Sequence, residues 1–80
     1  MSSQRTTYDL RIFFVTGGWS RGEPRTLAEG RRQLRQVVAQ AHWVDKNNLR
    51  HIARISRVAL YAVGKMGGTH TRRLCQEVTL

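Results

Sequence analysis

Eighty residues carry fourteen Lys and Arg against five Asp and Glu, a net charge of +9, and hydrophobic residues make up 40% of the chain. That hydrophobic share is too large for a disordered basic tail, and the length suits one domain near the lower limit for a self-sufficient core. A single domain over residues 1–80 is expected, with 1–6 as a polar, frayed tail. The longest apolar runs, 12–15 and 58–63, are far shorter than the ~20 residues of a membrane span. The first ten residues contain no apolar signal segment. A cytoplasmic protein with no membrane partner is therefore expected. Cys75 stands alone, which excludes an intramolecular disulfide and a four-thiolate zinc site and suggests a reduced, partly buried thiol.

Thr7 to Thr16 alternates as a strand, with Tyr8, Leu10, Ile12 and Phe14 on one face and Asp9, Arg11, Phe13 and Val15 on the other. Gly17 to Arg25, with its glycines and single proline, reads as a flexible loop. Within it, Trp19, Arg21 and Arg25 suit either stacking on a base or filling a protein pocket; the alternative is that Trp19 folds back over the core. Thr26 and Glu29 form a capping box, Thr26 capping the helix and Glu29 reaching back to its amide. A helix follows from Leu27 to about Trp43, burying Leu27, Gly30, Leu34, Val37, Val38 and Ala41 along one stripe. Glycine inside that stripe costs roughly 1 kcal/mol against alanine, so Gly30 points to a close approach between helix and sheet. Arg31, Arg32 and Arg35, with His42 further along, form a basic face with no acidic i,i+4 partner.

Val44 to Leu49 reads as a turn, and the next segment supports two descriptions. As a helix, it sets an apolar stripe from Leu49 to Val63 beside Arg50, Arg54 and Arg57, opening a helix-turn-helix-like use of those arginines toward DNA. As a strand from Ile55 to Val63, it points Val58, Leu60 and Ala62 to the core and Tyr61 and Val63 to the other face. The β-branched and aromatic residue types favour the strand, and a lone first strand needs partners. Residues 65–69 form a turn, and Thr71 to Leu80 alternates again, with Leu74, Val78 and Leu80 opposite Arg73, Cys75 and Glu77. The expected fold is α+β: a β-α-β-β domain with a three-stranded antiparallel sheet and one helix on one face. One strand followed by two tandem helices is the alternative. A single helix leaves parts of Phe13, Val15, Tyr61, Val63 and Cys75 uncovered, a surface for a partner or a second copy.

Catalytic chemistry has little to stand on. The five carboxylates (Asp9, Glu23, Glu29, Asp45, Glu77) are scattered, and His42, His51 and His70 lack metal-ligand spacing, so no enzyme activity, metal or cofactor is expected. Gly64 to Thr69 fails the phosphate-loop pattern, because Met66 follows the lysine and Ala59 holds the place of the first glycine. Function then falls to binding. Twelve of the fourteen cations are arginine, the side chain best suited to bidentate phosphate contact and to stacking. The candidate partner-binding residues are Trp19, Arg21 and Arg25 in the loop, and Arg31, Arg32 and Arg35 on the helix. In the C-terminal half they are Arg54, Arg57, Arg72 and Arg73, with Arg50 and Lys65 nearby. Free nucleic acid is one partner they would suit.

Size, the missing active site, the extreme charge and a β-α-β-β core opening on Tyr8-Asp9-Leu10-Arg11-Ile12-Phe13-Phe14-Val15 carry a whole-chain resemblance. The chain resembles the small anti-CRISPR proteins of phages and mobile elements. That resemblance implies a non-catalytic inhibitor that binds a bacterial CRISPR effector complex in the host cytoplasm and blocks its DNA recruitment. Many such inhibitors are acidic DNA mimics. A basic one would instead cover an acidic protein face or engage the guide RNA.

Overall fold

The computed structural model describes residues 6–66 and 69–80. Its order is β1 (Thr7–Phe14), β2 (Trp19–Gly22), α1 (Leu27–Lys46), β3 (Ile55–Met66) and β4 (Thr69–Thr79). The strands form one antiparallel sheet in the order β2-β1-β3-β4, and α1 packs on one face of it. The class is α+β as expected, but the sheet has four strands and not three. Residues 1–5 of the expected tail, and 67–68 of the expected turn, lie outside the described residues.

The additional strand is β2, in the segment read as a flexible loop. Gly17 and Gly18 both take positive φ, 89° and 80°, a backbone that side chains other than glycine rarely adopt. Their amide and carbonyl close the turn, Gly17 donating to the Phe14 carbonyl at 3.1 Å and Gly18 accepting from the Phe14 amide at 3.2 Å. The two glycines thus fold the chain into a hairpin that lays Trp19 beside Phe13 and Arg21 beside Arg11.

Residues 55–66 are a strand, so the tandem-helix alternative falls. β3 is one of the two interior strands of the sheet, beside β1. It pairs with β1 from Thr7↔Val63 to Phe14↔Ile55 and with β4 from Arg57↔Thr79 to Met66↔Thr69. Pairing on both sides suits its β-branched and aromatic residues and outweighs the helical spacing of its apolar positions. Beyond Val63, among the described residues, it continues paired with β4 alone.

A bulge in β4 corrects the expected alternation there. Leu60 lies opposite Gln76 and Tyr61 opposite Leu74, so Cys75 is an extra residue. The slip sends Leu74 and Val78 to opposite faces. Val78 and Cys75 pack against the core, while Leu74 is exposed on the face away from the helix.

The helix begins at Thr26, whose hydroxyl accepts the Glu29 amide at 3.1 Å; the Glu29 carboxylate accepts from the Arg25 amide at 3.2 Å, one residue before the expected one. It runs one turn past Trp43, because Val44 completes the buried stripe. Asn47 then caps it, donating its side-chain amide to the Trp43 carbonyl at 2.8 Å, and Asn48 turns left-handed at φ 53°. Leu10, Leu34, Val58 and Leu60 form the fully buried core.

Gly30 sits where helix and sheet come closest. A Cβ built there would lie 2.8 Å from Leu60 Cδ1 and 3.3 Å from Pro24 Cγ. Leu60 is fully buried and has no room to retreat. Gly30→Val should therefore destabilise the fold by about 1–3 kcal/mol through overpacking. In a thermal melt this lowers Tm by about 4–8 °C per kcal/mol. An unchanged Tm would mean that the helix lifts off the sheet at no cost.

Candidate nucleic-acid interface

The helix covers one face of the sheet, and the alternation of the strands decides what the other face presents. Cross-strand pairs on that face are Asp9↔Tyr61, Arg11↔Ala59 and Phe13↔Arg57 between β1 and β3, and Arg11↔Arg21 and Phe13↔Trp19 between β1 and β2. From β4 come Arg72 opposite Val63, Leu74 opposite Tyr61, and Glu77 opposite Ala59. Aromatic rings, arginines and two carboxylates therefore share one surface.

Asp9 organises it. Its side chain is 1% exposed although no helix covers it. Arg11 Nε lies 3.1 Å from Oδ2, Arg21 Nε 2.9 Å from Oδ1, and an Arg72 terminal nitrogen 3.9 Å from Oδ2. A carboxylate out of water needs such partners, since an unpaired buried charge is strongly destabilising. Asp9 fills that need from three strands, β1, β2 and β4. Among the described residues every buried side-chain nitrogen and oxygen has a hydrogen-bond partner.

The arginines held by Asp9 also lie against rings. The Arg11 guanidinium carbon is 4.6 Å from the centre of the Trp19 ring and 5.8 Å from that of Tyr61. The Arg72 guanidinium carbon is 5.6 Å from the same Tyr61 ring centre, and that of Arg57 is 4.2 Å from the centre of the Phe13 ring. Such cation–π contacts contribute roughly 0.5–1 kcal/mol each at exposed sites. Ala59 is fully buried on this face, which requires long side chains to lie across it. Its small side chain opposite Arg11 leaves the space in which they do so. Arg57 is further paired with Glu77 at 3.5 Å.

The sequence-predicted residues divide between two surfaces and the ends of the molecule. Trp19, Arg21, Arg57 and Arg72 meet on the helix-free face. Trp19 is 52% exposed there and does not fold back over the core. Arg31, Arg32 and Arg35 are exposed on α1, on the opposite side of the molecule, and Arg25 is exposed just before the helix cap. Arg54 is paired with Asp45 at the end of the helix. Arg73 lies opposite Ala62, which puts it on the helix-bearing side. An apolar cleft of about 430 Å³ opens at the end of the domain between α1 and the strands, lined in part by Ile12, Phe14, Val37, Ile52 and Leu80. Among the described residues, Arg54 is the only arginine lining it.

Sequence reasoning missed Asp9, Arg11, Tyr61 and Phe13 as members of the site. Their shared face was legible from alternation within β1 and β3, but their meeting with Trp19 and Arg21 required β2. Their meeting with Arg72 required the register of β4.

No protein-family model matches this sequence, and no similar curated protein or solved structure is found.

Removing the negative charge from Asp9 tests this network. Asp9→Asn keeps the shape but turns an acceptor-only group into one that presents donors to arginines. Since hydrogen bonds to charged groups contribute about 1.5–3 kcal/mol, the substitution should lower stability by about that amount in urea unfolding. A midpoint equal to that of the wild type would show that the three arginines do not depend on the carboxylate.

Proposed function

We propose that the protein is a non-catalytic binding module that takes single-stranded nucleic acid on the helix-free face of its sheet. The observation that carries this proposal is Arg11, pinned by buried Asp9 with its guanidinium 4.6 Å from the Trp19 ring centre and 5.8 Å from that of Tyr61. Single strands offer unpaired bases, which stack on aromatic rings and on guanidinium planes, and phosphates, which pair with arginine. A flat sheet face that carries both kinds of group suits that chemistry. Four arginines against Asp9, Glu77 and Glu23, the last 3.7 Å from Arg21, leave it net positive by one charge, a modest field in which stacking takes a large share of the affinity.

A second reading follows the resemblance to anti-CRISPR proteins: an inhibitor that engages the guide RNA or an acidic protein face of a bacterial CRISPR effector complex. It is favoured by the spread of cations over both sides of the molecule. Arg25, Arg31, Arg32, Arg35, Lys46, Arg50 and Arg73 are exposed, and none has an ion-pair partner among the described residues. Capture of an assembled effector complex at physiological salt, with no binding to free strands, would favour this reading over the first.

Fluorescence anisotropy with a labelled single-stranded RNA provides the test. Each stacked base is worth about 1–3 kcal/mol by alanine substitution, so Trp19→Ala with Tyr61→Ala should weaken binding by about tenfold or more. Affinity should also fall log-linearly with salt, by about 0.7 in slope for each phosphate neutralised. Wild-type affinity in the double variant would rule out the sheet face as the binding surface.

A further inference from the structure

The outer face of α1 differs in kind from the sheet face. At 100° per residue, Ala28, Arg31, Arg32, Arg35, Ala39, His42, Trp43 and Lys46 fall on one stripe, opposite the buried residues Gly30, Leu34 and Val44. The stripe holds four cations and no acidic side chain. Glu29 is turned to the helix cap and Asp45 to Arg54. Arg31 and Arg35 are four residues apart, and Arg32 and Arg35 three. Like charges at these spacings destabilise a helix by about 0.2–0.5 kcal/mol per pair. A bound polyanion would remove that repulsion.

We infer that this stripe is a second nucleic-acid site, which takes the phosphate backbone of a duplex, and that the protein bridges a duplex and a single strand on its two sides. The inference rests on the nucleic-acid reading of the sheet face. Charge and ring content separate the ligands: the sheet face is rich in aromatic rings and net positive by only one, while the helix face carries four cations, one indole, Trp43, and the His42 imidazole. A duplex presents a rigid, dense row of phosphates, about one charge per 1.7 Å of axis, and no exposed base faces. From Arg31 to Lys46 the helix rises about 22 Å at 1.5 Å per residue, and its diameter of about 10–12 Å fits a major groove about 12 Å wide. Since the sheet lies behind the helix, a duplex docked here leaves Trp19 and Arg11 open to a strand.

The test compares three proteins against a short labelled DNA duplex and against a single-stranded RNA of similar length. They are the wild type, the helix variant Arg31→Gln, Arg32→Gln, Arg35→Gln, and the sheet variant Trp19→Ala, Tyr61→Ala. The substituted arginines are exposed and have no ion-pair partner among the described residues, and circular dichroism would verify that the helix persists. The helix variant should lose about tenfold or more in duplex affinity, and its log-log salt slope should flatten by about 0.9 for each phosphate contact removed. Its affinity for single-stranded RNA should stay within twofold of wild type. The wild type should also retain labelled single strand on an immobilised duplex, and each variant should fail to. Duplex affinity unchanged in the helix variant, or lost only in the sheet variant, would overturn the second site. Single-strand affinity unchanged in the sheet variant would instead overturn the sheet reading, and with it the bridge, while a helix-variant loss on the duplex would still stand.

Discussion

One helix can cover only one face of a four-stranded sheet, and the organisation of this small domain follows from how the other face is completed. Among the described residues α1 is the one helix, and it lies on the other side. The chain completes the face with arginine stems, three aromatic rings and a carboxylate drawn out of water. Asp9 is the centre of that solution, since its two oxygens tie β1 to β2 and β4 across β3. The same contacts fix guanidinium groups that would otherwise sample many rotamers. Ordering them in advance reduces the entropy that a ligand must overcome on binding.

That economy links stability to recognition. Here Arg11, Arg21, Tyr61 and Trp19 are both the outer layer of the fold and the proposed contact surface. A partner that displaces Arg11 from its rings would have to replace those contacts with its own. The fully buried core on the helix side is small, four side chains at its centre, and the close approach at Gly30 brings the helix near enough for them to interlock.

Much of this was legible in the sequence where a single local pattern decides the outcome. Alternation in β1 and β3 assigned their faces, Thr26 and Glu29 marked the helix start, and Gly30 signalled close packing. Two features needed information from outside their own segment. The glycine pair at 17–18 reads equally as a loose loop or a hairpin, and only a neighbouring strand edge with matching side chains distinguishes them. The bulge at Cys75 reverses the faces on either side of it, which no count of alternating residues reveals. Both errors fell on the helix-free face, the proposed contact surface. The loop reading detached Trp19 and Arg21 from Asp9, and the missed bulge put Leu74 in the core. Asp9 itself looked like an ordinary outward-facing polar residue, because its burial comes from arginines supplied by other strands.

The chain has two tryptophans, and they report on opposite sides of the molecule: Trp19 on the sheet face and Trp43 on the outer face of the helix. Two-dimensional NMR of their indole N–H signals during titration with single-stranded RNA would test the sheet face most directly. The account predicts that the Trp19 signal shifts progressively and saturates, together with the side-chain Nε–H signals of Arg11 and Arg21, while Trp43 stays in place. A shift of Trp43 alone, or a bound complex in which Trp19 does not move, would contradict it.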